Sequence, residues 1–208
     1  MADWYNAICG GIPGCPAVAV PPPKKIMCGP DITEWLAKKI NDLIKQAADQ
    51  GIPDLADDFG WIGIGDYNVG YWAAGSWVKE IVRKGYFDFS EGGKSIFKSD
   101  GCPTADCGDT ATLCGFCVVG DNVEDVAFGA MCSTIFPIEF CEWAADEAAR
   151  GKWGRPDTPQ AHQGMKAGAD AAAGGSVTVE SLCKAITKHI GGMKTRSDCA
   201  PCDEKFGG

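Results

Sequence analysis

Three short stretches set carboxylates where they can do chemistry: Cys28-Gly29-Pro30-Asp31-Ile32-Thr33-Glu34-Trp35, Gly65-Asp66-Tyr67-Asn68-Val69-Gly70-Tyr71-Trp72 and Gly120-Asp121-Asn122-Val123-Glu124-Asp125. Each puts an aspartate at the start of a helical pattern, where it can cap the first turn and gain from the helix dipole. If the helix starts converge on one cleft, burial and mutual repulsion push the carboxyl pKa values apart. One group then keeps its proton as a general acid while another stays ionised to activate water or stabilise charge, which is what glycoside hydrolysis needs. On this reading Asp66 is the first catalytic carboxylate, Asp121 or Asp125 its partner, and Asp31 or Glu34 a supporting acid. Trp61, Tyr67 and Asn68 stand beside Asp66 as substrate contacts, the aromatic rings suited to stacking on a sugar or a base.

Competing chemistries rest on other residues. Cys28 precedes a helix start, a position that stabilises a thiolate, so a cysteine-dependent amidase is an alternative. It would need a histidine, and the chain has only His162 and His189. Cys114-x-x-Cys117 and Cys199-x-x-Cys202 have zinc-ligand spacing, but disulfides are the stronger reading and no metal or other cofactor is expected. A basic stretch at Lys184, Lys188, His189, Lys194 and Arg196 keeps a ribonuclease or other nuclease open. A non-enzymatic, disulfide-rich delivery or adhesion module is the third class.

The elements that must position these groups read as mainly α with minor β. Ile32, Trp35, Leu36, Ile40, Leu43, Ile44 and Ala47 recur at helical spacing over residues 31–50, with Asp31 as N-cap, Glu34 completing a capping box and Gly51 as stop. A second helix is expected over 68–84, a third from about Asp121, and a fourth after Pro137. Residues 86–120 read as a short hairpin or irregular loop held by disulfides, and 152–175 as a loop with one loose helix. A last helix is expected over 177–192, VTVESLCKAITKHIGG, followed by a tail bearing Cys199 and Cys202. The expected organisation is a Gly/Pro-rich arm over 1–27, then a single compact helical domain over 28–208 with a cysteine-rich insertion at 100–117.

Twelve cysteines in 208 residues favour a disulfide framework and an oxidising compartment. The net charge of -9 argues against a general nucleic-acid surface. No run of apolar residues is long enough to span a membrane. Met1-Ala2-Asp3-Trp4-Tyr5 does not open a classical signal peptide, so either the signal is missing from this sequence or export uses a machine that reads something else.

Taken together, CGPDITEW, GDYNVGYWAAG and GDNVEDVAFGAM resemble the bacterial polymorphic toxin type 44 family over roughly residues 28 to 131. The resemblance implicates Asp31, Thr33, Gly65, Asp66, Gly70, Gly120, Asp121 and Asp125. Asn122-Val123 stands where the family more usually has Asp-Pro. The resemblance implies a small secreted antibacterial effector, delivered by a secretion system and neutralised by an immunity protein in the producer. With the acidic stations it leads to a hydrolase acting on peptidoglycan in the target periplasm, muramidase-like at a glycosidic bond.

Overall fold

The described residues of the computed structural model are 26–49, 90–91, 94–104 and 106–207. Within them, five helices and two short hairpins follow in the order α1 (Thr33–Asp49), β1 (Ser90–Glu91), β2 (Lys94–Ser95), β3 (Thr110–Leu113), β4 (Phe116–Val119), α2 (Gly120–Ser133), α3 (Ile138–Trp153), α4 (Pro159–Ala172) and α5 (Val179–His189). The fold is a helix-dominated single compact domain, as the sequence led us to expect, and five disulfides join cysteines among the described residues. The expected helix over 68–84, the second acidic station with Trp61, Asp66, Tyr67 and Asn68, and the arm over 1–25 lie outside the described residues.

Helix α1 forms where the apolar spacing predicts it, burying Leu36, Ile40, Leu43 and Ala47 along one face. Its start differs from expectation. The Asp31 carboxylate accepts from the Thr33 N–H at 2.9 Å and the Thr33 hydroxyl at 2.6 Å, while Glu34 faces Lys205 at 3.5 Å. Glu34 thus faces the lysine, and Asp31 accepts from Thr33 and from Lys205. Farther along α1, the Asn41 amide donates to the Val177 carbonyl at 2.7 Å and accepts from the Val177 N–H at 2.8 Å, tying α1 to the lead into α5.

The cysteine-rich region is a hairpin, not an irregular loop. Thr110 pairs with Val119 and Leu113 with Phe116, leaving Cys114-Gly115 as a two-residue turn with φ of 53° and 79°. Positive φ at both positions gives the strand twist that a tight hairpin requires. A non-glycine residue tolerates it here because the Cys114 N–H donates to Thr33 Oγ1 at 2.8 Å and its sulfur is bonded to Cys183. The chain around Asp31 bridges to Thr112, and the C-terminal tail flanks both sides. Lys194 and Arg196 pair with β4, and Glu204 and Phe206 pair with Asp31.

Helix α2 departs directly from β4. Val119 is its N-cap and Gly120 its first residue, so Asp121 sits in the first turn and does not cap. Its inner face, including Val123, Val126, Ala127 and Met131, is fully buried. Residues 152–175, read from the sequence as mostly loop, hold α4 instead, a regular helix capped by Thr158 with Pro159 at its start. Its buried face carries Ala161, Gly164, Ala167, Gly168 and Ala171. Such small side chains give a weak apolar period, yet they let α4 approach α2 until the backbones touch. A Cβ on Gly168 would collide with the Val126 carbonyl and lie 2.6 Å from the Ala130 nitrogen.

Candidate functional site

The first acidic station is structural. Both Asp31 oxygens are engaged, Oδ1 by Thr33 and Oδ2 by the Lys205 ammonium at 2.7 Å. Burial would raise the Asp31 pKa, but the hydrogen bonds from Lys205 and Thr33 outweigh it and hold the carboxyl below the usual range. Glu34 is exposed and meets only the outer side of the same lysine.

The third station is different in kind. Asp125 lies one turn into α2, partly exposed, with its Cβ side against Gly164 of α4. Burial pushes its pKa up to about 8, opposed by a hydrogen bond from Asn122 and reinforced by repulsion from Asp157, Glu124 and Asp121. It therefore holds a proton near neutral pH, as a general acid must. Asp121 is 74% exposed, with the Lys194 ammonium 3.9 Å away. The described partners of Asp31 and Asp125 have no member in common.

Asn122 was not singled out from the sequence, although its i, i+3 spacing from Asp125 on one helix was readable. It is 2% exposed and lies where α2, α4 and the tail meet. Its amide donates to Asp125 Oδ2 at 2.7 Å and to the Gln160 carbonyl at 3.1 Å, and its oxygen accepts from the Lys194 N–H. Asp157 was missed too, because it stands in the irregular segment just before α4 and reaches Asp125 only through the fold.

Beyond Asp157 the polar chain continues between α3 and α4. The Asp157 N–H donates to Asp146 Oδ1 at 3.0 Å, and the same oxygen lies 3.0 Å from His162 Nε2. His162 Nδ1 is 3.9 Å from Glu142 Oε1, an enclosed oxygen that also has Lys166 Nζ at 3.2 Å; both are ionic contacts without hydrogen-bond geometry. His189 is held in a similar way, by Asp170 at 2.7 Å and Gln163 at 3.1 Å.

Cys28 cannot be a nucleophile in this fold. It is fully buried and bonded to Cys117, so no thiol is left to ionise, and the amidase reading loses its catalytic group. The zinc spacing is likewise spent on disulfides: Cys114 joins Cys183, Cys199 joins Cys107 and Cys202 joins Cys102. Cys132–Cys141 closes the α2–α3 corner. Among the described residues no group of three or more histidine, cysteine, aspartate or glutamate side chains is placed to hold a metal ion. None of the helices among the described residues is long and apolar enough to cross a membrane.

Comparison with family models, with curated proteins and with solved structures finds no match to this chain.

Proposed function

We propose that this protein is a secreted antibacterial toxin that hydrolyses peptidoglycan at a glycosidic bond, with Asp125 as the general acid. The observation that carries the reading is the placement of the Asp125 carboxyl, packed against Gly164 of α4, bonded by Asn122 and facing Asp121, Glu124 and Asp157, where burial pushes its pKa up to about 8. In the proposed step Asp125 gives its proton to the glycosidic oxygen as the bond from that oxygen to the anomeric carbon breaks, so the leaving sugar departs as an alcohol. Asp121, exposed in the first turn of α2, or Asp66 by the motif resemblance, takes a proton from the water that adds to the anomeric carbon. The disulfides suit an oxidising compartment such as the target periplasm. The resemblance of the acidic motifs to the type 44 toxins supplies delivery by a secretion system and an immunity protein as partner.

The test is mass spectrometry of fragments released from purified sacculi. New sugar reducing ends are expected from the native protein, and Asp125→Asn should lower the release by roughly 10²–10⁴-fold, the usual share of a general acid. Absence of new reducing ends overturns the glycosidase. A nuclease is the second reading, favoured by His162 beside Lys166 and His189 beside Lys188, each ring held by an aspartate. Degradation of RNA or DNA that is lost in His162→Ala or His189→Ala would establish it.

A further inference from the structure

We infer that the C-terminal tail is a working part of the acidic site: the Lys194 backbone N–H fixes the Asn122 amide, and that amide fixes the Asp125 carboxyl. Asn122 is then a positioning residue for the acid. The inference rests on the reading of Asp125 as the acid, but its test does not require any hydrolysis.

The argument begins with the valence of one buried amide. A primary amide has two hydrogens to give and one oxygen to receive with, and all three directions of Asn122 are used. Had Asn122 served only to fasten α4 and the tail to α2, the Gln160 carbonyl and the Lys194 N–H would suffice. Its remaining hydrogen is aimed at a carboxyl oxygen. Because the oxygen and nitrogen of an amide turn together, whatever holds the oxygen also aims the hydrogens. The holder is main chain, so it cannot move without the tail.

The tail in turn is fixed on either side of that contact. The Val119 N–H donates to the Lys194 carbonyl at 3.1 Å and the Arg196 N–H to the Cys117 carbonyl at 3.0 Å, which sets Lys194 in register with β4. A little farther on, the bonds from Cys199 to Cys107 and from Cys202 to Cys102 anchor the tail to the segment leading into the hairpin. The residues that aim Asp125 thus come from sequence positions some seventy residues apart, Lys194 and Asn122 being separated by 72.

The charged groups facing Asp125 are Asp157 from the segment before α4 and Glu124 and Asp121 from its own helix. The Lys194 ammonium lies near Asp121 and gives the tail a second, electrostatic route to the site. The test must separate the N–H from the ammonium.

The experiment is a pH titration of the full-length oxidised protein by NMR, reading the Asp125 carboxyl carbon, the Asn122 side-chain amide and the Lys194 backbone amide. All three are expected to move with one midpoint, and the Lys194 movement should persist in Asp121→Asn. A Lys194 amide that stays flat while Asp125 titrates in the native protein overturns the inference, with no variant needed. Asn122→Ala should raise the Asp125 midpoint by about one pH unit, the worth of a lost hydrogen bond to a carboxylate. Lys194→Pro removes the N–H donor together with the ammonium, and Met193, at φ -83° and ψ 161°, already has the backbone that a following proline requires. It should move the Asp125 midpoint in the direction of Asn122→Ala, relative to Lys194→Ala, which removes the ammonium alone. Equal midpoints in the proline and alanine variants also overturn the inference. If the coupled titration holds while sacculi stay intact, the glycosidase reading falls and the tail coupling stands.

Discussion

Asp125 keeps its proton into the neutral range because burial on α4 and three neighbouring carboxylates disfavour its charge more than the Asn122 amide favours it. That imbalance has a consequence for stability. The unfolded chain loses this proton near pH 4, the folded chain near pH 8, so between those values the folded state binds more protons. Stability from this group is therefore fully present below about pH 4 and is lost as pH rises through about 8. Urea denaturation at pH 5 and pH 9 should show the native protein weakening by on the order of a few kcal/mol, and Asp125→Asn lacking most of that fall. An equal fall in both proteins would mean that Asp125 titrates normally. Asp31 works in the opposite sense. Its carboxyl is held below the usual range, so its contribution is present at neutral pH and fades only as acid protonates it. Two aspartates that look alike in sequence, each beside a predicted helix start, thus do opposite work, one fastening the tail through Lys205 and the other holding a proton.

At the scale of elements, α2 and α4 form the frame that sets the Asp125 environment, and their spacing depends on glycine. A methyl group at Gly168 would strike the Val126 carbonyl and the Ala130 nitrogen, both rigid helix backbone. Gly168→Ala should then cost about 1–3 kcal/mol through overpacking, against the roughly 1 kcal/mol that alanine ordinarily gains over glycine in a helix interior. Thermal unfolding of the variant decides it, and an unchanged or higher Tm would mean that the two helices are not in backbone contact. The same glycines explain what the sequence concealed. Helices α1, α2, α3 and α5 were readable because leucine, isoleucine and valine recur at helical spacing or because Pro137 marks a start. Helix α4 shows instead Ala161, Gly164, Ala167, Gly168 and Ala171, residues whose burial comes from closeness and not from apolar bulk. Thr158 and Pro159 do open the helix, a start the sequence reading missed beside that Gly- and Ala-rich composition. At the site, Asp31, Asp121 and Asp125 were visible as helix-start acids. Their division of labour was not, since it depends on Lys205, Asn122, Asp157 and Lys194, which only the tertiary fold brings to them.

For the whole molecule, the disulfides decide where the fold can exist. Four of the five bonds among the described residues close long rings, joining residues 89, 100, 92 and 69 positions apart, and three of these engage the hairpin region with either Cys28 or the tail. A single ring of this size removes about 4–5 kcal/mol of unfolded-chain entropy, and overlapping rings add less than their sum. Losing on the order of 10 kcal/mol would exceed the margin of an ordinary domain. At about 2–4 °C per kcal/mol for a chain of this size, full reduction should lower Tm by tens of degrees. Thermal unfolding followed by circular dichroism, with and without excess dithiothreitol, measures it directly. The same dependence bears on function. If the toxic state is the oxidised fold, bacteria should be killed when the chain is expressed with a periplasmic export signal and survive when it is made in their reducing cytoplasm. Co-expressed Asp125→Asn with the export signal should be tolerated, which separates catalysis from mere accumulation of a disulfide-rich protein. Killing from the cytoplasm alone would point to a target inside the cell and to the histidine-bearing nuclease reading. Killing restricted to the periplasm, and lost with Asp125, ties the acid, the tail that aims it and the disulfides that hold the tail into one requirement.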